Sequence, residues 1–381
     1  MRFAAITVLT LSALGAGWKL CSARPALANP VHRGQPAALA AAKGAQWLAG
    51  VQGGDGGWGQ DGGATSNVRN GERLETSGND VANTAVAALA LVRAGNTPSK
   101  GPHRLAVLRA VEFVLRHVER SPEAGLTVTD GQGTQIQRKL GPFIDTFLTS
   151  MLLAELDGQM IDSASNQRVR HALQKCVAKI EKNQQGDGSW NLAGGWAPIL
   201  GTSMASRSLY AAQEKGVRVD NKVLGKVADY TKQNAAAKAG TAGGVYRASP
   251  AAAGVPLYQS AQALEEMSRT EGDRRKNESE IRAITRELSS DRFVKGYGSM
   301  GGEEFFSYLN ISDSMRRAGG EGWTNWNGQI QAKLVDLQNA DGTWAGHHCI
   351  TGRVAVTSAA ILTLLADGQP APAAAFRPVK K

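Results

Sequence analysis

The chain has 381 residues and carries 43 Lys and Arg against 33 Asp and Glu, a formal net charge of +10. A hydrophobic content of 42% excludes a wholly disordered chain, because that share of apolar residues is enough to bury a core. Only three cysteines exclude a disulfide-stapled scaffold and a multi-cysteine zinc array. The sequence has no cluster of Lys and Arg with interleaved aromatic residues, so we expect no nucleic-acid partner.

The first 28 residues have the pattern of a signal peptide. Arg2 gives a positive start, residues 3–17 form an apolar run too short for a stable membrane anchor, and Ala26-Leu27-Ala28 has the form of a cleavage site. We therefore expect an exported protein, periplasmic or extracellular, whose mature chain begins near Asn29. No later stretch approaches the roughly 18 uninterrupted apolar residues of a transmembrane helix, so no transmembrane segment is expected.

One residue spacing occurs three times in the rest of the chain. It is Gln-x3-Gly-x-Trp, at residues 52–58, 184–190 and 338–344. Each copy follows a stretch whose apolar residues recur at intervals of three and four, and each precedes an Ala/Leu-rich stretch that ends near a glycine. The repeated unit is therefore helix, glycine-rich turn, helix, and internal repeats of this length indicate stacked helical pairs.

Three degenerate copies fill the gaps between the clear ones. Helical stretches at 105–119, 221–232 and 278–290 lead to second helices at 143–156, 258–267 and 305–317. The predicted total is six helix pairs, enough to close a ring with one helix of each pair inside and one outside. A closed ring needs no polar capping repeat at its ends. Residues 369–381, with three prolines and a Lys-Lys end, are predicted to be a disordered tail.

The Gln-Gly-Trp element is predicted to connect neighbouring pairs. The glutamine can bond the exposed backbone groups at the end of an adjacent helix, and the glycine permits a tight turn. The tryptophan provides a large apolar face between successive pairs. Trp58, Trp190 and Trp344 are therefore interpreted as fold residues and not as ligand contacts.

Residues 43–58, KGAQWLAGVQGGDGGW, resemble the QW motif of squalene–hopene and oxidosqualene cyclases, which protein prenyltransferase β subunits share in looser form. With its weaker copies the resemblance covers nearly all of residues 29–368. It implies one all-α domain, an (α/α)6 toroid of six helical hairpins, with a central cavity that opens at the N-terminal ends of the inner helices. It does not imply either family's reaction, because one fold can carry many chemistries.

The reactions of those families need residues that this chain lacks. The cyclases begin with an Asp-x-Asp-Asp acid, whereas the nearest acidic pair here, Glu303-Glu304, has no third carboxylate. Aromatic residues make up only 6% of the chain, although a cavity that stabilises carbocations needs many aromatic faces. The prenyltransferases hold zinc with an Asp-x-Cys pair and a later histidine, and no Asp-x-Cys occurs here.

A candidate site is predicted at the cavity entrance instead. Aligning the inner helices on their closing glycines places Asp80, Glu304 and Arg353 at equivalent entrance positions, in repeats that are neighbours in a closed ring. With His348 they form a candidate catalytic set, in which Arg353 orients an anion or carbonyl and a histidine or carboxylate moves a proton. The alternative is structural: the acids cap their helices and Arg353 pairs with one of them.

The same loop offers a candidate metal site. His347, His348 and Cys349 are adjacent, and His347 or His348 with Cys349, Glu304 and Asp80 could hold a transition metal, because imidazole, thiolate and carboxylate are all zinc ligands. The spacing is unusual for a metal site, because adjacent residues of an extended chain point to opposite sides. Zinc is therefore a candidate cofactor, and a small apolar filler is the alternative role for Cys349.

Three classes of function follow. The first is a protein that binds or acts on a small hydrophobic ligand in its cavity, of the lipid or isoprenoid class that the resemblance suggests. The second is a non-catalytic scaffold that binds a protein or a cell-surface glycan, and the third is a glycan lyase or hydrolase with an open cleft lined by Trp and Arg. The long connections at 61–78 and 121–142 could cover the cavity as lids or be loose insertions.

Overall fold

The structure is a computed structural model that describes residues 30–61, 78–130, 133–190, 198–239, 254–289, 301–347 and 349–368. The predicted signal peptide and the predicted disordered tail lie outside the described residues. Within the described ranges the chain forms fourteen α-helices, a final 3-10 turn at Ala366–Gly368 and no β-strand. The helices are α1 (Pro30–Gly50), α2 (Val81–Arg93), α3 (Arg104–Arg120), α4 (Gln135–Leu140), α5 (Ile144–Leu156), α6 (Ser163–Lys182), α7 (Pro198–Glu214), α8 (Asn221–Ala239), α9 (Gly254–Met267), α10 (Glu271–Lys276), α11 (Glu278–Leu288), α12 (Gly302–Ala318), α13 (Gly320–Asp336) and α14 (Arg353–Leu364).

Twelve of these helices form two concentric rings. The inner ring follows the order α2, α5, α7, α9, α12 and α14, and α14 packs against α2, which closes the circle. The outer ring consists of α1, α3, α6, α8, α11 and α13. This arrangement confirms the predicted all-α toroid of six hairpins. The short helices α4 and α10 are additions to the six pairs.

Residue composition explains which helices lie inside. Residues 81–91 of α2 and 354–364 of α14 are all buried, so these helices are enclosed on every side. A helix can be enclosed in this way only if small or apolar residues surround its whole circumference. The outer helix α3 instead buries one stripe, including Val107, Val111 and Val114, and exposes charged residues on its other face. None of the described helices has both the length and the apolar character needed to span a membrane.

The glutamine of each clear turn joins one hairpin to the next. Gln52 Nε2 donates to the carbonyl of Gly56 at 2.8 Å, within the turn, and to that of Ala106 at 2.8 Å, in the first turn of α3. The two other copies do the same, from Gln184 to Gly188 and Val223 and from Gln338 to Gly342 and Ala40. The last of these bonds connects the end of α13 to α1, so it ties the final hairpin to the first.

The tryptophan of each turn is anchored at both of its nitrogens. Trp58 Nε1 donates to the carbonyl of Leu48 at 2.8 Å, and its backbone N–H donates to Thr84 Oγ1 at 2.9 Å. Equivalent pairs of bonds hold Trp190 to Ile180 and Thr202, and Trp344 to Leu334 and Thr357. The threonine on the following inner helix is thus a fourth member of the motif, which the sequence analysis did not identify.

The glycine of each turn is required by its geometry. Gly56, Gly188 and Gly342 have φ of +93°, +92° and +89°, a region that residues with a Cβ rarely adopt. A Cβ at Gly188 would also lie 2.3 Å from the carbonyl oxygen of Lys226 on α8. The turn can therefore approach the next outer helix only because the side chain is absent.

We expect G188A to destabilise the fold. Backbone strain alone should lower the free energy of unfolding by about 1–3 kcal/mol, and the clash with Lys226 adds to this loss. The matched control is G225A on the exposed side of α8, where a Cβ meets no atom within 4 Å. This substitution should stabilise the helix by up to about 1 kcal/mol. Urea unfolding measures both, and equal stabilities of the two variants would contradict the role given to the turn.

Candidate functional site

Asp80 serves as the N-cap of α2. One carboxylate oxygen accepts from the backbone N–H of Asn83 at 2.8 Å, and the other accepts from Asn83 Nδ2 at 2.7 Å. Burial raises the pKa of Asp80 to about 6, although the bonds from Asn83 act in the opposite direction. Both oxygens of this predicted catalytic residue are thus used within its own helix terminus.

Arg353 is the first residue of α14 and pairs with acids that the sequence analysis did not consider. Its Nε lies 3.3 Å from Asp61 Oδ1 and its Nη1 lies 3.4 Å from Asp341 Oδ2. The guanidinium carbon is 5.2 Å from the centroid of the Trp47 ring on α1. The side chain is therefore directed toward Trp47 of the first outer helix and toward Asp61 in the connection that follows it, whose side chain is only 1% exposed.

The two adjacent glutamates of α12 face different neighbours. The charge of Glu304 acts on Lys333 of α13: burial lowers the pKa of Lys333, and Glu304 opposes that shift. The charge of Glu303 instead acts on Cys349, and the charge of Lys139 opposes it. Burial raises the pKa of the Cys349 thiol, and the negative charge of Glu303 raises it further. Glu304 is thus directed toward an outer helix and Glu303 toward the entrance loop.

The predicted zinc donors are only partly described. His347 is exposed, and His348, which belongs to both the catalytic and the metal prediction, lies outside the described residues. The described ranges contain no group of three or more His, Cys, Asp or Glu that could hold a metal ion. Cys349 and Glu303 supply two potential ligands, fewer than the three protein ligands typical of a catalytic zinc site. The described donors therefore do not make a zinc site by themselves.

The structure does not bring the described members of the predicted catalytic set into contact with one another. Asp80 bonds its own helix, Arg353 pairs with Asp61, and Glu304 acts on Lys333. Asp80 therefore has the helix-capping role that was the structural alternative to catalysis. Arg353 forms an ion pair, as that alternative also supposed, but with Asp61 and not with Asp80 or Glu304.

A short helix covers the N-terminal end of the inner ring. Helix α4 packs against α2, α5 and α7, and a Cβ at Gly201 of α7 would lie 2.7 Å from the carbonyl oxygen of Leu140. Gln135 Oε1 accepts from the backbone N–H groups of Thr351 at 2.9 Å and Gly352 at 3.0 Å, in the loop before α14. Helix α4 thus lies over the entrance that the family resemblance implied, as a lid.

Asp145 is a buried carboxyl group close to this lid. It is the second residue of α5 and is fully buried. Burial raises its pKa to about 7, while the nearby backbone and the side chain of Gln137 in α4 limit the rise. The entrance residues predicted from the sequence were Asp80, Glu304 and Arg353, so this carboxyl group near the start of α5 was missed.

A cavity of about 390 Å³ lies at the opposite end, where the inner helices finish. Its lining comes from the C-terminal parts of α2, α5, α7, α9 and α12 and from residues just after them. Apolar side chains form part of the lining, at Val92, Met151, Ala154 and Ala211. Charged side chains form most of the remainder: the cations Arg93, Arg207, Lys215, Arg316 and Arg317, and the acids Glu155, Glu214, Glu265 and Asp313.

Arg207 organises the charged floor of this cavity. It bridges three inner helices, with Nε 2.6 Å from Glu265 of α9, Nη1 3.0 Å from Asp313 of α12, and Nη2 donating to the carbonyl of Asn310 at 2.7 Å. Burial alone would raise the pKa of Glu265, but Arg207 and the neighbouring arginines hold it at about 2. Arg207 is 6% exposed and its charge is matched, so it is a structural centre of the cavity.

Two further ion pairs lie close to Arg207, one in the cavity lining and one behind it. Arg93 Nε lies 2.7 Å from Glu155 Oε1, which joins α2 to α5. Arg269 Nε lies 2.7 Å from Glu266 Oε2, and its guanidinium carbon is 3.2 Å from the centroid of the Tyr210 ring. Arg207 and Arg93 thus give the cavity a fixed polar base, because each is paired with acids of other helices.

The alignment on closing glycines could have identified this cavity. Arg93, Glu214 and Arg317 each lie two residues before a glycine that ends an inner helix. Charged residues at equal positions in otherwise Ala/Leu-rich helices indicate a shared polar surface at that end of the ring. The last turns of the inner helices therefore carry a signal that their first turns do not.

No protein-family model and no curated protein matches the chain. Among solved structures the chain is similar to a variant of the type II terpene cyclase MstE from Scytonema, in complex with its substrate geranylgeranyl dihydroxybenzoate. The TM-score is 0.52 at 11% identity, over 89% of this chain and 99% of that chain. The apo structure of MstE gives a TM-score of 0.48 at 12% identity, over 87% and 98% of the two chains. The first of these likenesses shows that the chain has the α/α-toroid fold of a terpene cyclase.

The buried Asp145 predicts a pH dependence of stability. Its pKa is raised from 3.8 to about 7 in the folded protein, so the folded state keeps a proton that the unfolded state loses. The contribution is favourable at low pH and is lost as pH rises through 7. We therefore expect the free energy of unfolding to fall between pH 6 and 7, with a slope of at most about 1.4 kcal/mol per pH unit from this group, and D145N to flatten that slope.

The control for this measurement is D162N. Asp162 is an exposed N-cap whose pKa is lowered by hydrogen bonds from Ser165, so its contribution is already constant between pH 6 and 7. Chemical unfolding at a series of pH values compares the two variants with the wild type. An unchanged slope in D145N would contradict the assignment of this proton to Asp145.

Proposed function

We propose that the protein binds a small amphiphilic molecule, of the lipid or isoprenoid class, in the cavity at the C-terminal end of its inner ring. The observation that carries the proposal is the lining of that cavity, where five helices converge on about 390 Å³ with both apolar and charged side chains. Ligand pockets typically enclose roughly 300–1,000 Å³ and combine apolar walls with a few placed polar groups. The cavity has both properties.

The class of ligand is supported by the distribution of side chains. Met151 and Ala154 are buried and belong to α5, and with Val92 they give the wall next to α2 an apolar character. The charged residues lie mainly on the side formed by α7, α9 and α12. A molecule with a hydrocarbon part and a polar part matches both sides. The MstE variant of the same fold holds such a molecule, an isoprenoid chain joined to a polar aromatic acid.

We propose that the cavity binds a ligand, and we propose no reaction there, because the predicted catalytic residues do not line it. Asp80, Glu304 and Arg353 lie at the other end of the ring and contact separate partners. The scaffold alternative is favoured by one observation, the position of α4 over the N-terminal end. The glycan lyase alternative required a cleft lined by Trp and Arg, and the lining of this cavity has arginines but no tryptophan.

The test is to block the cavity and measure binding. We expect wild-type protein to bind decanoate or farnesol in isothermal titration calorimetry, and A211F to weaken binding about tenfold or more, because the ring would occupy space that the ligand needs. The control is A283F, at an exposed alanine of α11 on the outer ring, which should bind as the wild type does.

Mass spectrometry of an organic extract of the purified protein would identify a co-purified ligand. No binding and no extracted ligand would favour the scaffold alternative.

We also propose that the chain is exported, on the basis of the predicted signal peptide. Expression in a secreting bacterial host should give a mature protein whose intact mass corresponds to a start at Asn29, since Ala28 would occupy the cleavage position. A28R should block processing, because signal peptidases require a small residue there, whereas L27Q should leave it unchanged. A mature protein that retains residues 1–28 would contradict the proposal.

A further inference from the structure

The cations of the cavity lining outnumber its acids by one. Arg93, Arg207, Lys215, Arg316 and Arg317 face Glu155, Glu214, Glu265 and Asp313. Behind this layer, Arg269 and Glu266 pair with each other and add no net charge. Such an excess within a partly enclosed space attracts an anion, since charges interact more strongly there than in bulk water.

Most of the arginine charge is already matched at short distance. Arg207 contacts Glu265 at 2.6 Å and Asp313 at 3.0 Å, and Arg93 contacts Glu155 at 2.7 Å. These pairs have the distances of charge-assisted hydrogen bonds. Their guanidinium groups are therefore committed to the protein.

Arg317 is different. The acids closest to it are Glu214, 3.8 Å from Nη2, and Glu265, 3.9 Å from Nε, both beyond hydrogen-bond distance. Among the described residues its guanidinium has no hydrogen-bond acceptor, although its side chain is only 14% exposed. Burial lowers the pKa of Arg317, and the positive charges of Arg269 and Arg207 lower it further. A largely buried group with five N–H donors is left without a close acceptor beside the cavity.

We propose that Arg317 is the anion-recognition residue of the cavity, and that with Lys215 it binds a carboxylate or phosphate group of the amphiphile. The inference rests on the proposed function and names the charge of its ligand. The planar guanidinium presents paired donors that match the two oxygens of such a group. Lys215, exposed just after the end of α7, supplies a second positive charge at the rim. The hydrocarbon part of the ligand then lies against Met151 and Ala154.

The test compares ligands that differ only in their head group. Calorimetry with decanoate, decyl phosphate, decanol and decyltrimethylammonium should give the tightest binding for one of the two anions. Decanol should bind about tenfold or more weakly, and the cation should show no binding. The better of the two anions identifies the carboxylate or the phosphate source of the ligand.

Substitution of Arg317 provides the second arm. R317Q should weaken binding of the better anion about tenfold or more and leave decanol unchanged, and R317K should recover part of the loss because it restores the charge without the planar donors. The control is R282Q, which removes an exposed arginine paired with Glu278 on α11 and should bind as the wild type does. If circular dichroism shows that R317Q does not fold, two other measurements replace it. They are anion binding by K215Q, which should be weaker than in the wild type, and the salt dependence of anion binding by the wild type.

The outcomes separate this inference from the proposed function. Equal binding of decanol and the anions, unchanged in R317Q, would overturn the anion site and leave the amphiphile cavity standing. Binding of none of the four compounds, with no ligand in the extract, would overturn both. Loss of anion binding in R317Q with decanol binding intact would support both.

Discussion

The architecture depends on one close approach, between the glycine of each turn and the backbone of the next outer helix. At Gly188 there is no room for a Cβ beside the carbonyl of Lys226. This proximity lets Gln184 reach the carbonyl of Val223 in the first turn of the same helix. The indole of Trp190 then fills the space behind the turn and bonds its preceding helix. A glycine, a glutamine and a tryptophan together set the spacing between neighbouring hairpins, and three such spacings are distributed around the circle.

The two ends of the inner ring have opposite characters. At the N-terminal end α4 covers the helices, and polar side chains such as Asp80 satisfy their own helix terminus. At the C-terminal end, charges from five helices meet around a cavity, and Arg207 alone bridges three of those helices. The buried ion pairs of this end join the inner helices to one another, and their mutual attraction largely offsets the free-energy cost of removing the charges from water.

The sequence predicted the fold because the repeat is local: a helix, a turn and a helix recur within a short window, and their number determines whether a ring can close. It also placed Asp80, Glu304 and Arg353 correctly at the starts of inner helices. It could not predict where their side chains point. Successive residues of a helix point about 100° apart, so an error of one position would give Glu304 the surroundings of Glu303. The lid α4 lies in an irregular connection, and the buried Asp145 follows that connection. An irregular connection has no periodicity from which contacts could be predicted.

The bond from Gln338 to the carbonyl of Ala40 spans 298 positions of the chain. The ring therefore cannot be completed until the last hairpin is available to meet the first, and the entropy lost in closing so long a loop must be offset by contacts that form at the same time. Contacts between residues so distant in sequence are associated with slow folding. Until that last hairpin has been synthesised, the buried face of the first outer helix, which includes Ala41, Ala45 and Leu48, lacks the helices α13 and α14 against which it packs.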